Sequence, residues 1–155
     1  MHPNEELIQA FYQAFQRRDF KTMQSCYVDD PTFSDAVFVN LQGDEVKTMW
    51  EMLCVRAKDL QVEYKNIKAN EKEASVEWKA TYFLSTTNRK VINEIKTHIL
   101  FENGKIKHHR DYFSFYRWIR QAVGLKGWLL GWTPFFKKRV RQAALNGLFI
   151  YMNKQ

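Results

Sequence analysis

The stretch Ile95-Lys-Thr-His-Ile-Leu-Phe-Glu-Asn-Gly-Lys-Ile-Lys-His-His-Arg-Asp111 decides the fold class of this 155-residue chain. Apolar and polar residues alternate on both sides of Asn103-Gly104, which is the pattern of two half-buried strands. The Asn-Gly pair tolerates the positive φ angles that a two-residue type I′ turn requires. We therefore predict a tight β-hairpin in which Glu102 lies opposite Lys105.

The turn also predicts which residues of the two strands face each other. Counting outward from it pairs Lys96 with Asp111, and His98 with His109. These four polar side chains would share one face of the sheet, solvated if the sheet is flat but convergent if it curves around a pocket. The opposite face is predicted to be apolar, with Ile95, Ile99, Phe101, Ile106 and Tyr112.

The rest of the chain has a helical pattern first and a strand pattern second. Apolar residues recur at helical spacing over 4–15, 19–27 and 44–53, and Asp19 and Gly43-Asp44 are suited to starting the second and third helices. The period then changes to two over 60–64 and 74–82, before the hairpin, whose last strand is predicted to run to Tyr116. Helices followed by a meander of strands predict an α+β fold.

Two aspartates stand in aromatic settings where a strand would bury them. Asp35 ends the segment Tyr27-Val-Asp-Asp-Pro-Thr-Phe-Ser-Asp35, and Asp111 precedes Tyr112-Phe113. An unpaired buried carboxylate costs several kcal/mol, so such a residue usually has a partner or a chemical role. We predict an acid/base site from both aspartates, against the alternatives of a loop cap at Asp35 and a structural partner of Lys96 at Asp111. The predicted catalytic set is Asp35, Asp111, His109 and His98, and the predicted pocket set is Phe11, Trp50, Trp78, Tyr82, Lys96 and Phe113.

Composition fits one compact domain, with 45% hydrophobic and 15% aromatic residues. The first residues lack the basic and apolar regions of a signal peptide, and no apolar stretch approaches the about 20 residues of a membrane span, so we expect a cytoplasmic protein. Cys26 and Cys54 lie on apolar helical segments and are expected to be reduced core residues. The sequence contains no metal-binding or nucleotide-binding motif, so neither a metal nor a cofactor is expected.

The net charge of +7 is concentrated in the C-terminal quarter of the chain. Residues 1–116 contain 16 basic and 17 acidic residues, whereas residues 117–155 contain eight basic residues and no acidic one. Thr133-Pro134 predicts the start of a helix there. We expect this aromatic extension to pack on the core of domain 1–116. Contact with a membrane surface is the less favoured alternative, and nucleic-acid binding is not expected, because the aromatic residues are not interleaved with the basic ones.

The ordered set of three helices, the Tyr27 to Asp35 segment, the meander and the Phe101 to Phe113 ending resembles the SnoaL-like branch of the nuclear transport factor 2-like superfamily. The resemblance covers about residues 4–116. It implies a cone-shaped α+β fold of the cystatin-like type, in which the helices pack on a curved, mostly antiparallel sheet around a pocket. It also implies frequent homodimers formed through the sheet.

The resemblance carries over to the candidate residues only in part. Asp35 matches the position of the general base of ketosteroid isomerases, which belong to this superfamily. However, Phe11 stands where those isomerases have a catalytic tyrosine, and Thr97 stands about where they have a protonated aspartate. The residues that would stabilise an oxyanion are therefore missing or replaced, which argues against steroid isomerisation.

Asp111 matches the acidic residue on the last strand of SnoaL-type polyketide cyclases. His109 should point to the same face, similar to the Arg-x-Asp pair of limonene epoxide hydrolases, but the arginine here is Arg110 and falls on the other face. Two classes of function stay open. One is a cofactor-independent acid/base enzyme (isomerase, cyclase or hydrolase type) acting on a small apolar molecule, and the other is a non-catalytic domain that binds a ligand or a partner.

We also expect a homodimer. The apolar face predicted from the hairpin register would be exposed on the outside of the curved sheet of a single copy. A second copy of the chain would cover it.

Overall fold

A computed structural model describes residues 1–57 and 59–154 of the chain. Lys58 and Gln155, the last residue of the predicted extension, lie outside the described residues. The described residues form an α+β fold in which helices pack on a curved, unclosed sheet. The α+β prediction and the predicted curvature of the sheet are confirmed.

Six helices are described, three before the long strands and three after them. They are α1 (Pro3–Gln16), α2 (Phe20–Ser25), α3 (Asp44–Arg56), α4 (Phe115–Val123), α5 (Leu125–Leu130) and α6 (Pro134–Asn153). The predicted starts of α2, α3 and α6 are correct. Asp19 accepts from the Thr22 amide at 3.2 Å, Gly43 precedes α3 with a φ of 58°, and Thr133 Oγ1 accepts from the Phe136 amide at 3.2 Å.

The sheet has six strands in the spatial order β2-β1-β6-β5-β4-β3. They are β1 (Tyr27–Ser34), β2 (Leu41–Gln42), β3 (Gln61–Ala69), β4 (Glu73–Phe83), β5 (Lys90–Glu102) and β6 (Lys105–Tyr112). Among the strands of the described residues, only β1 and β6 pair in parallel. The last strand ends at Tyr112, and not at Tyr116 as predicted, because Ser114 caps α4 by accepting from the Arg117 amide at 3.2 Å.

The predicted hairpin turn is confirmed, but the predicted register beyond it is wrong. Asn103 and Gly104 have φ angles of 52° and 77°, and Glu102 lies opposite Lys105. The pairing then shifts between Phe101 and Leu100, so β6 contains one extra residue at Lys107, which is a β-bulge. A one-residue shift moves every later side chain of β6 to the other face.

The bulge changes the neighbours of both predicted site residues on β6. Asp111 lies opposite Thr97 and not Lys96, and His109 lies opposite Ile99 and not His98. Asp111 and His109 therefore point into the interior together with the apolar residues of β5. His98 and Lys96 are exposed on the outer face, where His98 approaches Glu73 at 3.9 Å.

The outer face of the sheet is charged, so the apolar outer face predicted for a homodimer is wrong. Ile95, Ile99 and Ile106 are buried in the interior, and of the predicted set only Tyr112 is largely exposed, at 54%. The outward side chains include Glu63, Lys79, Glu94 and Lys96. Lys79 Nζ lies 2.9 Å from Glu63 Oε2. The homodimer stays a prediction, without the apolar surface that suggested it.

Residues 117–154 contact the rest of the chain through α4 and through α6. Gln121 of α4 accepts from the Ile92 amide at 2.8 Å, and Leu148 of α6 is fully buried in the main core. Trp118 and Phe136 are partly buried. The expectation that the aromatic residues of this segment cover the core fails for Trp128, Trp132 and Phe135, which are more than half exposed.

None of the described helices is both long enough and apolar enough to cross a membrane.

Candidate active site

The imidazole of His109 is the centre of a buried polar cluster on β6. The side chain is 2% exposed and packs among aromatic rings, including Phe33 at 5.0 Å between ring centroids. Its Nδ1 lies 2.7 Å from the hydroxyl of Tyr27, and its Nε2 lies 3.0 Å from Oδ1 of Asp111. Both ring nitrogens are therefore engaged by groups of the protein.

The donors around Tyr27 determine the tautomer of His109. Trp50 Nε1, which can only donate, gives a hydrogen bond to the Tyr27 oxygen at 2.8 Å. The Tyr27 hydrogen is then directed to His109 Nδ1, so Nδ1 accepts and the Nε2 hydrogen is donated to Asp111. Burial raises the pKa of Tyr27 well above its ordinary value, which keeps this hydroxyl protonated. We assign to His109 the tautomer that carries its hydrogen on Nε2.

Asp111 receives two hydrogen bonds at one oxygen and none within the described residues at the other. Thr97 Oγ1 donates to Oδ1 at 2.5 Å, in addition to His109 Nε2. Trp78 Nε1 donates to Thr97 at 2.9 Å and so directs the Thr97 hydrogen toward Asp111. No buried side-chain oxygen of the described part of the chain lacks a partner, so Oδ2 of Asp111 faces open space. That space is the cavity that Asp111 lines.

Asp35 directly follows Ser34 of β1, which pairs with Arg110 of β6, and its side chain lines the same cavity and is held by backbone amides. Its Oδ1 accepts from the amides of Val37 at 2.7 Å and Phe38 at 2.6 Å, and its own amide donates to the Phe38 carbonyl at 2.7 Å. The loop-cap role weighed for Asp35 is therefore present. Within the described residues, Oδ2 receives no hydrogen bond, so the same side chain can also face a ligand.

The electrostatic setting of Asp35 disfavours its charge. Burial, and secondarily the negative charge of Asp111, raise the pKa of Asp35 to about 7, although the two amide hydrogen bonds and Arg141 act in the opposite direction. A carboxyl group with such a pKa exchanges a proton readily near neutral pH. This is the property that a general acid or base needs.

The cavity has a volume of about 280 Å³ and is lined mainly by apolar side chains. It brings together six of the ten predicted site residues: Asp35, Asp111, Trp50, Trp78, Tyr82 and Phe113. Phe11 and His109 lie behind this wall, with their rings 5.9 Å apart, and do not line the cavity themselves. His98 and Lys96 are the two that the structure places elsewhere, on the outer face of the sheet.

Tyr82 adds a hydroxyl donor to the cavity. Its oxygen accepts a hydrogen bond from Trp118 Nε1 at 2.8 Å, and within the described residues its hydrogen has no acceptor. Burial raises the pKa of Tyr82, and the charge of Asp35 contributes to this shift. Tyr82 therefore stays protonated near Asp35 and can donate to a molecule in the cavity.

A known protein family matches most of this chain. The model of the SnoaL-like domain matches residues 8–109, which is about two thirds of the chain. This chain belongs to the SnoaL-like family. The family match ends just before Asp111, and α4, α5 and α6 lie outside it. No curated protein matches the sequence.

Solved structures show the same fold at low sequence identity. A nuclear transport factor 2-like protein of unknown function from Burkholderia pseudomallei has a TM-score of 0.68 at 16% identity and covers 79% of this chain and 99% of its own. A hypothetical protein with a ketosteroid isomerase-like fold from Catenulispora acidiphila, solved in complex with trimethylamine, has a TM-score of 0.68 at 17% identity and covers 86% of this chain and 100% of its own. An epoxide hydrolase of Mycobacterium tuberculosis has a TM-score of 0.63 at 21% identity over 83% of this chain and 96% of its own.

Sequence reasoning missed four residues of this SnoaL-like site. Tyr27 was not predicted as the partner of His109, since that contact joins distant segments. Thr97 was not predicted as the partner of Asp111, since the bulge in β6 shifts the register of the hairpin. Asn93 lines the cavity, and its inward position follows from the alternation of β5, so this signal was available. Trp118 reaches the cavity from α4, and no pattern in the sequence places that helix over Tyr82.

The polar side chains of the described residues indicate what the site can bind. Among residues 1–57 and 59–154, no group of three or more His, Cys, Asp or Glu side chains is arranged to hold a metal ion. The cavity offers two carboxylates, one amide and one phenol among aromatic walls. Such a set suits proton transfer on an apolar molecule that carries one or two polar atoms.

Proposed function

We propose that this protein is a cofactor-independent enzyme that moves a proton on a small apolar molecule, with Asp35 as the general base. The observation that carries the proposal is a carboxyl group with a pKa of about 7 in an apolar cavity beside a second carboxylate. The raised pKa disfavours a purely structural role, because a carboxylate kept only as a loop cap is stabilised in its charged form.

The proposed step is proton abstraction next to a carbonyl group. Oδ2 of Asp35 takes a proton from the carbon, and the electron pair of that C–H bond moves into the carbonyl, whose oxygen becomes negative. Tyr82 donates its free hydrogen to this oxygen, and the Asn93 amide is a second donor on the same wall. Asp35 then returns the proton to another carbon of the substrate, which completes an isomerisation. In a ring closure, the enolate carbon first forms a bond to a second carbonyl carbon of the substrate, and Asp35 gives the proton to the oxygen of that carbonyl.

Tyr82 and Asn93 would replace the donors that the sequence lacks. Phe11 has no hydroxyl, and Thr97 donates its hydrogen to Asp111, so neither can stabilise an oxyanion in the cavity. The hydroxyl hydrogen of Tyr82 is not donated to another described residue, because the hydrogen bond from Trp118 uses only the Tyr82 oxygen as acceptor. The proposed chemistry therefore uses a different wall of the family pocket from that of the ketosteroid isomerases.

Asp111 and His109 are assigned to positioning and charge. The hydrogen bond from His109 holds Asp111 in place at the cavity, and the charge of Asp111 contributes to the high pKa of Asp35. Epoxide hydrolysis, the activity of the Mycobacterium tuberculosis relative, is less well supported here. Arg110 is exposed on the outer face and cannot join Asp111 in the cavity.

The test is hydrogen exchange with solvent. A panel of cyclic and aromatic ketones is incubated with the protein in deuterated buffer, and loss of the α-proton signal is followed by NMR. We expect exchange with at least one ketone, increasing as the pH rises through about 7, because the ionised fraction of Asp35 increases there. Asp35→Asn, whose amide oxygen can still accept from Val37 and Phe38, should abolish exchange.

Controls separate catalysis from binding. Tyr82→Phe should slow exchange by about 10²-fold or more, which is typical of removing one oxyanion donor, while the exposed His98→Gln should leave the rate unchanged. Compounds that raise the melting temperature of the protein without exchanging any proton would favour the alternative, a non-catalytic ligand-binding domain. Exchange that persists in Asp35→Asn would refute the assignment of the base.

A further inference from the structure

The proposed enzyme activity does not use the exposed apolar surface formed by α5 and the start of α6. Leu125, Trp128, Leu129, Trp132 and Phe135 are between 57% and 73% exposed, although each would normally be buried or isolated. We call this group the α5 face. Large contiguous apolar surfaces on a soluble domain usually mark a site of interaction.

Two glycines hold the α5 face outward. A Cβ added to Gly127 would lie 2.5 Å from the carbonyl oxygen of Ile119, and one added to Gly131 would lie 2.5 Å from the Ile119 side chain. The glycine side of α5 is therefore in close contact with α4. Leu129, two residues after Gly127 and so about 200° around the helix from it, points away from α4 and is 63% exposed.

Cations surround the α5 face. The guanidinium of Arg120 lies 4.4 Å from the Trp128 ring, and that of Arg139 lies 5.7 Å from the Phe135 ring. Lys126 and Lys138 are exposed nearby in the sequence, and residues 117–155 contain no acidic residue that could neutralise them. An occupant of this surface must be apolar in its centre and negatively charged around it.

We propose that the α5 face docks the protein onto the surface of a membrane that contains anionic lipids. Tryptophan and leucine side chains would enter the boundary between headgroups and acyl chains, while the lysines and arginines would contact the lipid phosphates. Since no described helix can span a membrane, the contact would be parallel to the surface. A second copy of the chain fits less well, because a two-fold axis would bring the cations of both copies together.

The test uses the full-length protein and vesicles of two compositions. Sedimentation should recover the protein with vesicles of phosphatidylcholine and phosphatidylglycerol, and recovery should fall in high salt as the charges are screened. Vesicles of phosphatidylcholine alone should bind much less. Fluorescence of Trp128 and Trp132 should be quenched by brominated anionic lipid, which reports insertion of the rings themselves.

Variants distinguish membrane binding through the α5 face from non-specific binding by other exposed apolar residues. The double variant Trp128→Ala, Trp132→Ala removes exposed rings, so the protein should stay folded while vesicle affinity drops at least about tenfold. Each of Lys126→Gln and Lys138→Gln should weaken binding about fivefold, as expected for one cation at an anionic surface. The matched control Phe83→Ala, an exposed aromatic residue on β4 (47%), should bind as the wild type.

Three outcomes would overturn the proposal. The first is no binding to vesicles of either composition. The second is equal binding to both, which would remove the role of the cations. The third is self-association of the wild type that the double tryptophan variant abolishes in the absence of lipid, which would make the α5 face an interface between copies.

Discussion

At the scale of single residues, the site depends on which hydrogen each buried group donates. Tyr27 links Trp50 to His109, and Thr97 links Trp78 to Asp111. Each of these hydroxyl groups accepts from an indole and donates to the acid/base pair. The indoles thereby determine the direction of every hydrogen bond in the cluster, and the Oδ2 atom of Asp111 is left for the cavity.

The first prediction is the titration of Asp35. Carbon-detected NMR of the carboxyl groups should show Asp35 titrating near pH 7, because burial and the charge of Asp111 disfavour its ionised form. Asp111→Asn should lower that pKa. If the pKa of Asp35 were about 4, as for a solvated aspartate, Asp35 would lose the property that supports its assignment as the general base.

The same shift predicts how stability depends on pH. The folded-state pKa of Asp35 is raised above its unfolded value, so the folded protein binds more protons between about pH 4 and 7. Its free energy of unfolding should therefore fall as the pH rises through this window, with a slope of at most about 1.4 kcal/mol per pH unit from this group. Asp35→Asn should remove that contribution. Urea denaturation at several pH values measures it.

A third prediction concerns the hydroxyl of Tyr27. Tyr27→Phe leaves the Trp50 indole hydrogen and His109 Nδ1 without their partner in the interior. The free energy of unfolding should fall by about 1–3 kcal/mol, the cost of an unsatisfied buried polar group. Tyr112→Phe, which changes an exposed tyrosine, is the matched control and should have little effect. Equal stability of both variants would contradict the two buried hydrogen bonds assigned to the Tyr27 hydroxyl.

At the scale of elements, the hairpin shows what sequence can and cannot determine. The Asn103-Gly104 turn was predictable because a local pair of residues requires it. The bulge at Lys107 was not predictable, because no local residue requires it. It serves the packing of the interior, since without it Asp111 and His109 would face solvent. Helix starts at Asp19 and Thr133 were local and correct. The contacts of Tyr27 and Trp118 are long-range and had no local signal.

A fourth prediction tests the close contact between α4 and α5. Gly127→Ala places a Cβ 2.5 Å from the Ile119 carbonyl and 2.8 Å from the Arg120 Cα, so the two helices must separate. We expect a loss of about 1–3 kcal/mol in stability, as for other overpacked contacts. Gly147→Ala on α6 meets no atom within 4 Å and should instead be neutral or stabilising by up to about 1 kcal/mol. Thermal unfolding of both variants compares them directly.

At the scale of the whole molecule, the charged outer face of the sheet changes what a homodimer would require. Contacts through Glu63, Lys79, Glu94 and Lys96 would consist of ion pairs between copies. Such a dimer should weaken as salt increases, in contrast to an apolar interface. Sedimentation velocity at low and high salt tests this expectation. A single species of monomer mass at both salt concentrations and at micromolar protein would argue against the dimer.

The last prediction compares two truncations of the C-terminal segment, which remove different contacts with the remaining fold. A chain ending at Ser114 loses α4, and with it the buried Phe115 and Ile119 and the Trp118 wall of the cavity. At about 1.5–3 kcal/mol for each large buried side chain, this loss approaches the about 5–15 kcal/mol that stabilises an ordinary domain. The truncated protein should aggregate or melt at a much lower temperature.

A chain ending at Gly124 keeps α4 and the hydrogen bond from Trp118 to Tyr82, and loses the buried Leu148 of α6 together with the α5 face. It should stay folded with a moderately lower melting temperature. An unchanged melting temperature for the chain ending at Ser114 would show instead that the SnoaL-like core is stable without any of the three C-terminal helices.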